Sequence, residues 1–179
     1  MAIDDTGNVA VLACDRLDWH QGCRVLIVTG EQEIDLGSPP DNLYTAAMTL
    51  DGRIAGYLYG QWFPASSHAS IWAAGETTDF DAQIRTRAWE GIGIPAGDHN
   101  LDTRLNDMTA SGDAVGEVVI PISEGGARTA ILVHGGEVIE LQGLLDPPTR
   151  VFSGLRINRD GQILATTSEY GPVVLLNPR

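Results

Sequence analysis

The chain has 179 residues and a formal net charge of −13, and all eleven of its basic residues are arginine. A surface this acidic repels phosphate. That argues against nucleic acid and anionic membranes as partners and leaves a neutral carbohydrate, a cationic small ligand or a metal ion. The apolar content is that of a folded domain, and no apolar run approaches the ~18 residues of a membrane span.

Ala2-Ile3 opens the chain and leads through Asp4-Asp5-Thr6-Gly7-Asn8 into a strand from Val9 to Ala13. The start carries neither the basic nor the apolar region of a secretory signal. The same phrase returns as Ala47-Met48-Thr49-Leu50-Asp51-Gly52 with a strand from Arg53 to Tyr59. A third copy, Leu105-Asn106-Asp107 through Gly112, precedes Ala114 to Ile120, and a fourth, Arg156 through Gly161, precedes Ile163 to Thr167. The glycines Gly7, Gly52, Gly112 and Gly161 stand 45, 60 and 49 residues apart, which suits four-stranded blade repeats of ~40–50 residues. Each phrase reads as a hairpin. An Asn or Asp side chain folds back on its own backbone in an Asx turn, and glycine supplies the positive φ.

A third strand follows in every copy and is nearly all apolar: Arg24 to Val28, His68 to Trp72, Thr129 to Val133, and Pro172 to Leu176. Continuous apolar strands are buried on both faces, so Leu26, Ile71, Ile131 and Val174 are predicted to be buried equivalents. A second glycine turn leads to a more polar fourth strand at Glu31 to Leu36, Glu76 to Phe80 and Glu137 to Leu141. The charge suits an outer edge that must discourage pairing. The one helix candidate is Ala82 to Trp89. The sequence therefore predicts an all-β fold of tandem four-stranded antiparallel blades, a β-propeller or partial propeller. It forms one array over 1–179, with blades near 1–37, 43–81, 101–142 and 151–179 and a long connecting loop at 82–100.

Leu105-Asn106-Asp107 and Ser111-Gly112-Asp113-Ala114-Val115-Gly116 of the third copy, His68-Ala69-Ser70-Ile71-Trp72 of the second and Ile34-Asp35-Leu36-Gly37 of the first stand at successive segments of one repeat. Together they resemble the HAF repeat family, a set of bacterial repeats assigned to the outside of the cell. The resemblance covers most of the chain except roughly 82–100. It departs from the family in that no copy keeps the Phe of the name-giving segment and only one keeps the His. It implies a propeller-like fold and an extracellular setting. It implies no established reaction and no cofactor, and so carries over no catalytic residue. Met1 falls inside the first repeat, so the copies read as the tail of a longer array. As they stand they would close a small ring or self-associate to complete one.

The long loops at 15–22, 60–67, 82–100, 121–127 and 143–149 are where function is expected on such a scaffold. They hold Trp19, His20, Trp62, Trp89, Glu90, Asp98 and His99. Topology predicts one shared face for the three tryptophans, where aromatic rings and acids would suit a sugar or a cation. The opposing expectation is that each tryptophan plugs its own loop. A binding or surface-interaction module is the leading function. A glycoside hydrolase would need paired carboxylates from Asp18, Glu90 and Asp98, and a third possibility is a fragment without activity of its own. No spacing among Asp18, His20, Asp98 and His99 matches a metal pattern, and no serine sits in a Gly-x-Ser-x-Gly elbow. Cys14 and Cys23 bracket the first loop on paired strands. They are bridged if the protein is exported, and otherwise are two small buried hydrophobes.

Overall fold

Each copy of the phrase forms a separate antiparallel sheet, and the sheets follow one another along the chain. The computed structural model describes residues 1–3, 6–14, 22–59, 67–97, 101–120, 126–145, 149–168 and 171–177. The first sheet is β1 (Ala2–Ile3), β2 (Val9–Cys14), β3 (Cys23–Thr29) and β4 (Gln32–Asp35). The second is β5 (Leu43–Met48), β6 (Ile54–Tyr59), β7 (Ser67–Ala73) and β8 (Glu76–Asp79). The third is β9 (Asp102–Met108), β10 (Ala114–Val119), β11 (Arg128–His134) and β12 (Glu137–Glu140). The fourth has three strands, β13 (Ser153–Ile157), β14 (Ile163–Thr166) and β15 (Val173–Leu176). Within each sheet, neighbours in sequence are neighbours in space.

The turn that joins the first two strands is the same in the last three sheets; the expected Asx turn forms in the fourth, where Asn158 Oδ1 accepts from the Asp160 N–H at 3.1 Å, and a threonine caps the turn in the second and third. In the third sheet, Thr109 Oγ1 accepts from the Asp113 N–H at 3.1 Å. The Gly112 N–H closes the turn on Thr109 O at 3.0 Å, with Gly112 at φ 95°. Thr49 holds Arg53 in the second sheet, and Asn158 holds Gln162 in the fourth. A hydroxyl does the work in two copies and an Asn side chain in one. Asn106 and Asp107 lie upstream of the turn and face the next sheet: Asp107 Oδ2 accepts from the Ile157 N–H at 2.9 Å.

A β-bulge recurs at one equivalent place. Ala46, Asn106 and Leu155 are each skipped in the pairing of the first two strands of their sheets. Opposite the bulge the chains come close, and a Cβ at Gly116 would collide with the Arg104 carbonyl oxygen, as one at Gly56 would with that of Tyr44. The fourth sheet inverts the arrangement, with Gly154 on β13 facing Ala165 on β14.

Three apolar clusters lie between successive sheets. Val25, Leu43, Ile54 and Trp72 join the first two. Ala55, Ala69, Leu105, Val118 and Ile131 join the second and third, together with Phe80, Ile84 and Trp89 from the connection. Val115, Ala130, Val151, Ile157 and Ile163 join the third and fourth. The third sheet is thus covered on both faces.

The expected equivalence of buried third-strand residues needs correction. Ile131 is fully buried, whereas Leu26, Ile71 and Val174 are half-buried. For the second sheet the cause is register. Ile131 pairs with Gly116, and the residue paired with the equivalent Gly56 is Ser70, not Ile71. A slip of one exchanges faces. For Leu26 and Val174 the register is right, but their sheets are the first and last of the series.

The predicted helix appears as α1 (Asp81–Thr86), followed by a 3-10 turn at Glu90–Ile92. Helix α1 guards the outer strand of the third sheet. The Gln83 amide accepts from the Val138 N–H at 3.3 Å and donates to Gly136 O at 3.0 Å, and Arg87 donates to Val138 O. Side chains here occupy edge groups that could otherwise pair with another strand. The outer strands β4 and β8 are exposed throughout and carry acids instead.

Candidate functional site

β10 reads Ala114-Val115-Gly116-Glu117-Val118-Val119 and places one charge in an apolar strand. Alternation sends Val115 and Glu117 to the same face, and Val115 there packs against Val151 and Ile157 of the fourth sheet's cluster. Glu117 consequently points into the space between the third and fourth sheets, where its side chain is only 10% exposed. Its nearest cation is Arg128 Nη1 at 3.8 Å, beyond hydrogen-bond length.

That space is a cleft of about 710 Å³, lined by Ala46, Asn106, Glu117, Arg128, Ser153 and Arg156, with Phe152, Leu155, Leu164 and Thr166 completing it. The three bulge residues Ala46, Asn106 and Leu155 are all in the lining, so the first strands of three successive sheets converge on it. Its donors are held in place. Asn106 Nδ2 donates to Ser153 Oγ at 3.2 Å and to Gly154 O at 2.9 Å. Arg156 Nη1 donates to the carbonyls of Asn106 and Leu155, at 3.2 Å each. The Arg150 guanidinium lies 4.6 Å from the Phe152 ring centroid.

No family model, no curated protein and no solved structure matches this chain. What the protein does must therefore be argued from its own residues.

A second polar cluster sits at the hairpin turn of the third sheet. Asp113 Oδ1 is 2.8 Å from His134 Nδ1, and Asp113 Oδ2 accepts from Ser111 Oγ at 3.2 Å. Serine and histidine both meet the carboxylate and not each other, so no base is placed to activate the hydroxyl. The cluster ties the turn to the end of β11. Among the described residues no group of three or more His, Cys, Asp or Glu is placed to hold a metal ion, and no helix is long and apolar enough to cross a membrane.

Of the residues singled out in the sequence, Trp19, His20, Trp62, Asp98 and His99 lie outside the described residues, as does Asp18. Trp89 is described and is not a ligand platform. It is fully buried, its indole N–H donates to Ile84 O at 2.9 Å, and its backbone pairs with Ile94. It plugs the connection into the core between the second and third sheets, and the Arg87 guanidinium lies 4.9 Å from its ring centroid. A buried indole cannot offer its face to a solute, so Trp89 is removed from the predicted site. Glu90 begins the 3-10 turn and is exposed. Cys14 and Cys23 form a disulfide across the β2–β3 pair.

The residues that line the cleft were not candidates in the sequence. Glu117 had a signal, being a lone carboxylate inside an apolar strand. Asn106, Ser153 and Arg156 had none, because they come together only when adjacent sheets pack.

Proposed function

We propose that the protein is a non-catalytic, propeller-like binding module whose ligand seat is the cleft between the third and fourth sheets. The observation that carries this reading is the convergence of Ala46, Asn106 and Leu155 on one cleft. A bulge frees a side chain from strict alternation and re-aims it, and here it does so at the same place in three sheets. First strands that gather in this way are what blades arranged about a common axis would supply. The resemblance to extracellular repeats agrees with this, and the Cys14–Cys23 bridge suits an oxidising environment. A pocket of this size, with a few fixed polar groups and some apolar lining, is the usual form of a small-ligand site.

The test is to screen glycans and small metabolites against the labelled protein by amide chemical shifts, then to repeat any hit with Leu155→Trp, which fills the cleft from a bulge position. Shifts at Ser153 and Thr166, with affinity falling roughly tenfold or more in the variant, are expected. Hits that bind Leu155→Trp unchanged, or a screen in which no probe moves these amides, would overturn the reading.

A further inference from the structure

The chemistry of the cleft is mixed in a way that selects among ligand classes. Glu117 is nine-tenths buried and its carboxylate makes no hydrogen bond among the described residues; Arg128 stands off at 3.8 Å. A buried polar group is ordinarily bonded, and the exceptions call for an explanation. Here the carboxylate is ion-paired with Arg128 but faces an open cleft of about 710 Å³, so a ligand can supply the hydrogen bond that Arg128 is too far away to make.

The rest of the lining limits that donor. A cation would satisfy Glu117 but bring its charge against Arg128 and Arg156. An anion would meet those arginines but be repelled by Glu117 and by a chain of net charge −13. A hydroxyl carries no net charge and both donates and accepts. A ring of adjacent hydroxyls can donate a hydrogen bond to Glu117 while accepting from the arginine side, and Ser153 and Thr166 can bond to either end of the same array. The Phe152 side chain offers an apolar surface for the ring's C–H edge.

We infer that the cleft takes a neutral, polyhydroxylated ligand of the saccharide class, and that Glu117 is the group that anchors it. This rests on the cleft being the ligand seat. The anchoring bond is charge-assisted, which makes it the strongest single polar contact available there. Asn106 and Arg156 are already fixed by their bonds to the β9 and β13 segments, so little ordering is required when the ligand arrives.

The experiment uses the full chain with four sets of probes: neutral sugars (glucose, galactose, N-acetylglucosamine and β-linked disaccharides), spermidine, citrate, and the zwitterions glycine and alanine. Amide shifts at Ser153 and Thr166 report occupancy. The expected result is saturable shifts with at least one neutral sugar and none with the charged probes. Glu117→Gln should weaken the sugar roughly tenfold or more, and Ser153→Ala roughly threefold. Glu137→Gln, at the one exposed position of β12, should leave it unchanged. If Glu117→Gln disturbs folding, the Ser153→Ala result and the probe preference still decide. Cleft shifts with spermidine, citrate or the zwitterions alone would overturn the saccharide assignment and leave the ligand seat standing. Sugar shifts confined to residues outside the cleft would overturn both.

Discussion

β11 and β15 hold the same place in their sheets and have similar apolar sequences, yet they meet different fates. In β11, Thr129, Ala130, Ile131 and Val133 are all buried. In β15, Val173 and Leu175 are 52% and 56% exposed, and Val174 and Leu176 are half-buried. The difference lies in the neighbours. β11 belongs to a sheet with the second sheet on one face and the fourth on the other, and its outer partner strand is guarded by Gln83. β15 belongs to a sheet whose described contacts lie on one face, and it is the outermost described strand there. In an array of repeats, burial is a property of the stack, and a strand's own composition sets only what it could bury.

The sharpest way to break this comparison is to truncate equivalent residues. Ile131→Ala should cost about 2–5 kcal/mol, because it leaves a cavity in a fully packed site. Val174→Ala should cost about 1 kcal/mol or less. Chemical denaturation of both variants checks this, and equal losses would mean that the last sheet is as well covered as the third. Gln83→Ala comes next, at about 1 kcal/mol for two hydrogen bonds on the edge of β12. Hydrogen exchange should localise the effect to the Val138 amide and its neighbours. The smallest effect belongs to Leu175→Ala, which should stay within about 0.5 kcal/mol of the parent because the side chain is already in water.

The hairpins were legible because a turn glycine, a polar cap and an apolar strand are local signals that recur in register. The expected Asn cap holds at Asn158 in the fourth copy and gives way to a threonine in the third. Thr109 sits at the turn, while the more conspicuous Asn106 and Asp107 are used to grip the fourth sheet. The bulges were not legible, since one surplus residue leaves the surrounding phrase looking the same. Ile71 is not the equivalent of Ile131 for a related reason: period-two patterns give no warning of a slip by one. Trp89 shows the limit for sites. Its position in a long connection says nothing about whether the ring turns outward, and the deciding feature, a carbonyl at Ile84 waiting for the indole proton, is a product of the helix that precedes it. Glu117 was visible as a misfit in an apolar run, but its meaning depended on Ser153 and Arg156, which arrive from the next sheet.

The recurring bulge has a consequence for how such a protein can change. At its three occurrences the protruding residues are Ala46, Asn106 and Leu155, three unlike side chains, while the residues opposite are Gly56, Gly116 and Ala165, all small. Variation and constraint are thus separated across a single strand pair. The small side keeps the two backbones close, and at Ala46 and Leu155 the protruding side chain is at liberty to be tailored. Because all three protruding positions open onto one cleft, while Asn106 also grips the fourth sheet through Ser153 and Gly154, the chain holds two addresses, Ala46 and Leu155, that can be rewritten, by mutation or in a designed library, with the sheets beneath left as they are.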